Sequence, residues 1–505
     1  VKPALSYIRD AEGVIQLFMP AVAERMLSGY SARWVFHPSC NEVNIMGKLF
    51  GTDGIRGAAN EYPMTAEIAL NVGRSVALLF RKQGHRAKII IGKDTRISGY
   101  MLEYALISGI CSMGGDAYPA GVLPTPGLSV VTASSGADAG IVISASHNPF
   151  YDNGIKIFRS DGYKLSDETE AEIESLLLSD SRLSQQCRSV RETGGVYKIE
   201  DAEKQYSEFL KKSLGSADKT NLQNCFAGMK IILDCSNGAT YRVAPRLFAE
   251  LGADAESLFV LPDGKNINEK CGSQHTETLA ETVVKKKADV GLAFDGDGDR
   301  LIAVDEKGNR VTGDQVLAIC AKFMKQKGIL RNNLVVSTVM SNLGFKLALK
   351  EMGIRHIESD VGDRFVLQEM IAYGAVIGGE DSGHTIFLSH HTTGDGILTA
   401  LKLLEVMKAE NRPLSELAQV MAVFPQILMN VEVDSKPDIE TVPEIQAEIR
   451  AVEKRLGEKG RVLVRYSGTQ PLCRVMIEGP THEETRQCCG QIVRAVRETL
   501  GIKKQ

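Results

Sequence analysis

Aromatic residues are scarce in this 505-residue chain: 6% of positions, with a single tryptophan, Trp34. Cysteine is thinly spread. The ten cysteines form no C-x-x-C pair, and only Cys488 and Cys489 lie close together. That spacing argues against a zinc ribbon or a thioredoxin-like site and favours reduced, mostly buried thiols in a cytoplasmic protein. No apolar run approaches the roughly 18 residues that signal a membrane span, so no membrane partner is expected. Neither sign of charge dominates, with 59 Lys+Arg against 63 Asp+Glu and a net charge of −4. That balance argues against a dedicated nucleic-acid binder while leaving room for local basic pockets that hold small anions. Low-complexity segments are also missing.

What is present is an ordinary globular composition, 43% hydrophobic and 24% charged, in a chain long enough for several domains. Residues 1–45 show no strand-loop-helix rhythm. Asp10, Glu12, Pro20 and Glu24 interrupt any signal-peptide pattern there. Organised sequence begins with "MGKLFGTDGIRG" at Met46, and residues 1–45 are expected to be an extension outside the fold. From there strands and helices alternate. A helical stretch over 66–82 precedes the strand "KIIIG" at 88–92. "MKIILDCSNGAT" leads into a helix with Val243, Leu247 and Leu251 on one face. "ADVGLAFDGDGDRLIAVDEKG" reads as strand, loop, strand, and "NLVVSTVMSN" as a further strand. This rhythm predicts α/β layers with parallel or mixed sheets. The tail differs. "QILMNVEV" and "RVLVRYSGTQPLCRVMIEG" give strands. A last helix begins at "THEE", where Thr481 and Glu484 fit a capping box and Gly501 fits a C-terminal cap. Four domains are expected, 46–200, 201–308, 309–422 and 423–505, the first three as diverged copies of one unit.

"DGDGDR" is the strongest chemical signal. In an extended segment Asp295, Asp297 and Asp299 point the same way and converge on one cation. Oxygen ligands suit a hard ion, and incomplete protein ligation favours Mg²⁺ shared with a phosphate. An EF-hand loop is rejected although Glu306 falls at its twelfth position, because Arg300 stands where glycine is required. In "RYSGTQP", Ser467, Gly468 and Thr469 offer an anion nest flanked by Arg465 and Arg474, although a plain hairpin loop explains S-G-T equally well. "GGEDSGH" places Glu380, Asp381, Ser382 and His384 between glycines, in a form that suits sugar hydroxyls or a polar turn. In "GIVISASHNPFYDNGIKIF" an apolar strand ends at Ile143 and runs into serines, which form either a reactive site or a turn.

Taken together and in this order, "SASHNP", "DGDGDR", "GGEDSGH" and "RYSGTQP" resemble the α-D-phosphohexomutase superfamily from about Met46 to the last helix. Within it, "FGTDGIRG", "INEKCGSQH", "TTGDGI" and "FPQILMNV" look closest to the bacterial phosphoglucosamine mutases. The resemblance implies three related α/β domains with mixed sheets and a smaller C-terminal α+β domain around a central cleft. Ser146 would be the phosphoserine, with His147 beside it. Asp295, Asp297 and Asp299 would hold Mg²⁺ together with the phosphate on Ser146. Arg56 and Lys156 would lie near the moving phosphoryl group, Lys156 as one candidate for proton transfer. Glu380 and Ser382 would hold sugar hydroxyls, with Arg300, Arg364 and His384 also on the substrate. Arg465, Ser467, Gly468, Thr469 and Arg474 would anchor the idle phosphate. Gln470 departs from the family pattern, which carries an acid there.

The implied activity interconverts glucosamine 6-phosphate and glucosamine 1-phosphate through a 1,6-bisphosphate, which also serves as activator. It would feed UDP-N-acetylglucosamine and cell-wall precursor synthesis. The rivals are a phosphomannomutase or phosphoglucomutase on the same scaffold and a noncatalytic phosphosugar-binding protein. The sequence does not set the oligomeric state and allows a homodimer. A chain starting at Met46 is expected to fold and turn over substrate; loss of soluble protein on that truncation, measured by expression and assay, contradicts the reading of the extension.

Overall fold

The computed structural model describes residues 8–9, 15–16, 49–51, 53–81, 85–178, 183, 187–214, 219–467 and 471–502. Trp34, Met46 and Lys82 therefore lie outside the described residues. The chain divides into two units, Val1–Gly47 and Lys48–Gln505. In the first, strands β1 (Ile8–Arg9) and β2 (Ile15–Gln16) pair antiparallel. The described residues of the second form four sheets.

The first sheet holds β3 (Ile55–Ala58), β4 (Lys88–Lys93), β5 (Asp116–Val122), β6 (Ala139–Ile143) and β7 (Asp152–Arg159) in the order β3-β7-β6-β4-β5. The second holds β8 (Lys230–Asp234), β9 (Asp254–Leu258), β10 (Val290–Phe294), β11 (Leu301–Asp305) and β12 (Arg310–Val311) in the order β12-β11-β10-β8-β9. The third holds β13 (Leu334–Thr338), β14 (Arg355–Ser359), β15 (Ile377–Gly379) and β16 (Thr385–Phe387) in the order β14-β13-β15-β16. One pattern underlies all three. Counted from β4, β8 and β13, a first strand pairs in parallel with the second on one side and the third on the other, and the fourth returns antiparallel to the third; β3 adds to the first sheet antiparallel to β7.

The repetition extends to hydrogen bonds. After each first strand a side chain accepts the amide two residues on: Asp94 from Arg96 at 2.9 Å, Asp234 from Ser236 at 2.8 Å, and Thr338 from Met340 at 3.2 Å. The loop between third and fourth strands is the one that carries "SASHNP", "DGDGDR" and "EDSGH" in turn. Such loops sit at the carboxyl ends of parallel strands, where open α/β sheets bind ligands.

The fourth sheet is antiparallel, with β17 (Gln426–Glu432), β18 (Arg461–Tyr466) and β19 (Leu472–Glu478) in the order β17-β19-β18. The helix His482–Leu500 packs on it and buries Ile492, Val496 and Leu500. Thr481 accepts from the Glu484 amide, but the Glu484 carboxylate turns to Arg455, so only half of the expected capping box forms. Gly501 does close this helix, yet at φ −67° it is extended rather than left-handed and bridges to Val433. Elsewhere the predicted periodicities become the helices Ala66–Leu79 and Val243–Glu250.

One apolar core runs through the three α/β domains, from Leu128 and Val131 through Phe248 and Leu292 to Leu317 and Leu404. The C-terminal domain has a separate core around Val475 and Ile492. Within the first domain, the helices Ala66–Leu79 and Gly99–Ser112 touch through glycine on both sides. A Cβ at Gly73 would lie 2.4 Å from the Leu106 carbonyl oxygen, and one at Gly109 would lie 2.0 Å from that of Leu70. Backbone cannot yield as a flexible side chain can, so Gly109→Ala is expected to destabilise by about 1–3 kcal/mol through overpacking. That loss outweighs the roughly 1 kcal/mol that alanine brings to a helix interior. A denaturant melt measures it, and unchanged or raised stability refutes the contact.

Candidate active site

Ser146 lies just past β6, is buried, and has a φ of 52°. That left-handed conformation costs a non-glycine residue about 1–2 kcal/mol and persists only where surroundings impose it. Here they do. The Ser146 amide donates to Ser144 Oγ at 2.9 Å, and Ser144 Oγ donates to Asp94 at 2.6 Å. Arg96, completely buried, pairs with Asp94 and donates to the Ser146 and Asn148 carbonyls. The result aims Ser146 Oγ at Asp295 Oδ2, 2.5 Å away.

Asp295, Asp297 and Asp299 stand on the loop between β10 and β11, all buried, with one oxygen of each within 4.8 Å of the others. Burial, then the like charges of Asp299 and Asp297, push the Asp295 carboxyl well above its usual range. Two buried oxygens, Oδ1 of Asp297 and Oδ1 of Asp299, have no hydrogen-bond partner. Buried anionic oxygens left unpaired are costly, and a bound cation removes the cost. The donor set is all oxygen, so the three residues fit a hard divalent metal. The EF-hand is excluded by geometry, since the chain continues into β11 and Glu306 accepts from Ser415 instead.

Positive charge converges on the same point. Lys156, on β7 and fully buried, lies 2.9 Å from both Asp297 and Asp53 and 3.7 Å from Asp299. Burial opposes its charge, but these carboxylates win and raise its pKa, so Lys156 is held as an ammonium. Burial likewise works against Asp299, yet Lys156 and His384 keep its carboxyl well below the ordinary range. His384 lies between Asp299 and Asp363, 3.6 Å from each. Burial resists charging the ring, and the two carboxylates still lift its pKa to about 9. His147 goes the other way: burial, with Arg300 and Arg56 nearby, lowers its pKa to about 4. Its neutral Nδ1 is 3.4 Å from Ser146 Oγ.

A cleft of about 560 Å³ opens beside this cluster, lined among others by Asp53, Arg56, Asp299, Arg300, Glu380 and His384. Ser382 donates to Glu380 at 3.0 Å. The structure thus gathers Arg56, Ser146, His147, Lys156, the three aspartates, Arg300, Glu380, Ser382 and His384. Arg364 is not among them. It forks onto Glu170 at 2.5 and 3.0 Å and also pairs with Asp167, joining the third domain to the first instead of facing the cleft.

Arg465, Ser467 and Arg474 lie on the C-terminal domain, outside the cleft lining. Arg465 and Arg474 are directly opposed in register across β18 and β19. Two facing cations destabilise a sheet unless an anion sits between them. Burial and then Arg474 lower the Arg465 pKa, and Arg474 Nε is buried without a partner, so the pair is suited to an anion. Gly468, Thr469 and Gln470 lie outside the described residues.

Sequence reasoning missed three charged members. Asp53 binds Lys156, Lys164 and Arg56; Lys164 spans Asp53 and Asp363; Asp363 opens the helix Asp363–Tyr373. Burial notwithstanding, Lys156, Lys164 and Arg56 hold Asp53 well below its usual pKa. Its place three residues before Arg56 in "FGTDGIRG" was the available signal. For Asp363 it was the glycine-led start of a helix.

Fold and loops together define the phosphohexomutase class. The descriptions "Phosphoglucomutase/phosphomannomutase, alpha/beta/alpha domain" I, II and III match residues 47–183, 204–308 and 312–424, and the C-terminal domain description matches 428–495. Phosphoglucosamine mutase of Syntrophus aciditrophicus (strain SB) is 61% identical over 456 residues, covering 90% of this chain and 100% of that protein. The phosphoglucosamine mutase of Syntrophobacter fumaroxidans is 57% identical with the same coverage. Among solved structures, a phosphoglucomutase/phosphomannomutase family protein from Burkholderia thailandensis superposes with a TM-score of 0.72 at 24% identity, covering 90% of this chain and 99% of that one. Aspergillus fumigatus N-acetylphosphoglucosamine mutase, solved with GlcNAc-6P and magnesium, gives a TM-score of 0.60 at 17% identity, covering 89% and 95%. The chain belongs to the phosphoglucomutase/phosphomannomutase family and, within it, to the phosphoglucosamine mutases. No helix among the described residues is long and apolar enough to cross a membrane.

If the aspartate loop holds a divalent cation, adding Mg²⁺ to chelator-treated protein raises its melting temperature. At 100 times the dissociation constant the gain is about 2.7 kcal/mol. The Asp297→Asn/Asp299→Asn protein is expected to lose the shift, and a shift that survives in it places the metal elsewhere.

Proposed function

We propose that the protein interconverts glucosamine 6-phosphate and glucosamine 1-phosphate, with Ser146 as the phosphoryl carrier. The observation that carries this reading is the buried Ser146 hydroxyl, held in a left-handed backbone conformation and aimed at a three-aspartate loop. A plain turn has no need of that convergence. The sugar comes from relatives named phosphoglucosamine mutase, at 50–61% identity over most of the chain.

In the forward direction the bond from phosphorus to Ser146 Oγ breaks and one to the free sugar hydroxyl forms, giving a 1,6-bisphosphate. The sugar then turns over, and its other phosphoryl group returns to Ser146. Such transfers need positioning and charge neutralisation above all. Asp295, Asp297 and Asp299 would hold Mg²⁺, which supplies positive charge to the phosphoryl oxygens when bound. Lys156 and Arg56 add fixed positive charge from the protein side. As an ammonium against the aspartates, Lys156 is also one candidate for proton transfer. The sugar hydroxyl gives up its proton as its bond to phosphorus forms, and Ser146 Oγ takes one up as its own bond breaks; His147, with Nδ1 3.4 Å from Oγ, would carry that proton.

Glu380, Ser382 and His384 would bind the sugar from the third domain, with Arg300 beside them. Arg465, Ser467, Gly468, Thr469 and Arg474 would take the phosphate that is not reacting. The same anion site must accept both substrate orientations, which favours paired arginines over a shaped fit. A hexosamine 1,6-bisphosphate would reprime the dephosphorylated enzyme. A cytoplasmic location, where thiols stay reduced, suits this reading. The product would feed UDP-N-acetylglucosamine and cell-wall precursor synthesis.

Ser146→Ala is expected to abolish turnover without unfolding the protein. Intact mass should rise by one phosphoryl group when the unsubstituted protein meets the bisphosphate, and stay constant in the variant. Near-normal activity in Ser146→Ala removes the carrier role. A substrate panel tests the sugar: higher kcat/KM for mannose or glucose phosphates than for glucosamine 6-phosphate makes the protein a phosphomannomutase or phosphoglucomutase instead.

A further inference from the structure

Two carbonyl groups of the serine loop, those of Ser146 and Asn148, are each bound twice. Arg96 Nη2 donates to both at 2.8 Å. Asn268 Nδ2 donates to the same two at 2.9 and 3.0 Å. A carbonyl oxygen has two lone pairs, so both acceptors are filled. The donors come from different domains. Arg96 follows β4 in the first domain and is anchored there by Asp94 and by the Pro149 and Asp152 carbonyls. Asn268 belongs to the second domain, between β9 and the helix Glu277–Lys286. It has a φ of 59°, a conformation that asparagine tolerates better than most residues, and its own amide is tied to the Ser236 carbonyl at 2.9 Å.

This clamp presses directly on the aspartate loop. A Cβ at Gly296 would stand 2.5 Å from the Ser146 carbonyl oxygen and 2.7 Å from Asn268 Nδ2. Asn268, the Ser146 backbone and the turn between Asp295 and Asp297 are therefore packed in contact, with no room for a side chain at Gly296. The Ser146 φ of 52° is what directs Oγ onto Asp295. Loss of the Asn268 bonds leaves both carbonyls on Arg96 of the first domain alone and unties the serine loop from the second domain.

We propose that Asn268 is a positioning residue for phosphoryl transfer: its side-chain amide locks the Ser146 loop of the first domain onto the second and keeps Oγ aligned with the aspartate loop. The proposal rests on the reading of Ser146 as the carrier. Asn268 touches no reacting atom and acts only through the two carbonyls. A displacement of about 1 Å at a reacting centre costs on the order of 100-fold in rate.

Two variants separate positioning from folding. Asn268→Asp keeps shape and tolerance of positive φ but turns the donor into an acceptor that faces two carbonyl oxygens. Asn268→Gly keeps the backbone conformation and only deletes the donor. Each is assayed for kcat and KM on glucosamine 6-phosphate, for the rate of Ser146 loading from glucosamine 1,6-bisphosphate by intact mass, and for melting temperature. The expected result is a kcat lower by about 10-fold in Asn268→Gly and about 100-fold in Asn268→Asp, with KM within about threefold and loading slowed in step. A folded Asn268→Gly protein with kcat within about twofold of the unsubstituted enzyme overturns the proposal. So does a loss of soluble Asn268→Gly protein, which makes the residue a folding determinant. If the unsubstituted protein itself takes up no phosphoryl group, the carrier reading fails instead.

Discussion

Buried like charges set the terms for this molecule. Asp295, Asp297 and Asp299 bring their oxygens within 4.8 Å of one another, away from water. Two such charges at 4 Å repel by about 4 kcal/mol even at an effective dielectric near 20. The repulsion is tolerable only where positive charge is supplied, and each α/β domain supplies some. The first contributes Lys156 and Arg56, the second Arg300, and the third His384. Removal of any one partner leaves a buried charge uncompensated.

The repeated α/β unit makes that meeting possible. All three copies present the loop between third and fourth strands at the carboxyl end of a parallel sheet. One copy uses it for the serine, the next for the aspartates, the third for the polar sugar-type loop. One apolar core runs through all three copies. The C-terminal domain stands apart with its own core and is tied to the third domain through Glu478. That buried carboxylate accepts from Asn342, the Leu343 amide, Gln426 and Arg461, and Arg461 reaches on to the Val339 and Ser341 carbonyls.

Much of this was legible in the chain. The alternation of apolar strands with polar loops predicted α/β layers, and the three-aspartate spacing predicted that Asp295, Asp297 and Asp299 converge, as they do. What stayed hidden depends on partners more than a hundred residues away. Asp53 has no visible role until Lys156 and Lys164 fold back onto it. Asn268 reads as a turn residue until its amide is seen on the Ser146 carbonyl. Arg364 shows the converse: a basic residue in a suggestive loop is drawn off by Glu170 and Asp167 on the helix Asp167–Leu177.

The sequence by itself determined the class of chemistry, because residue types and short spacings decide which groups can ligate a hard metal, carry a phosphoryl group or form an anion nest. It also determined the sheet-forming segments, through β-branched runs bounded by turn residues. Only the tertiary structure decided the state of each group. Burial and neighbouring charge raise the pKa of Lys156, lower that of His147 and push the Asp295 carboxyl above its usual range. These are sums over distance and desolvation, and neither quantity exists until the chain has folded.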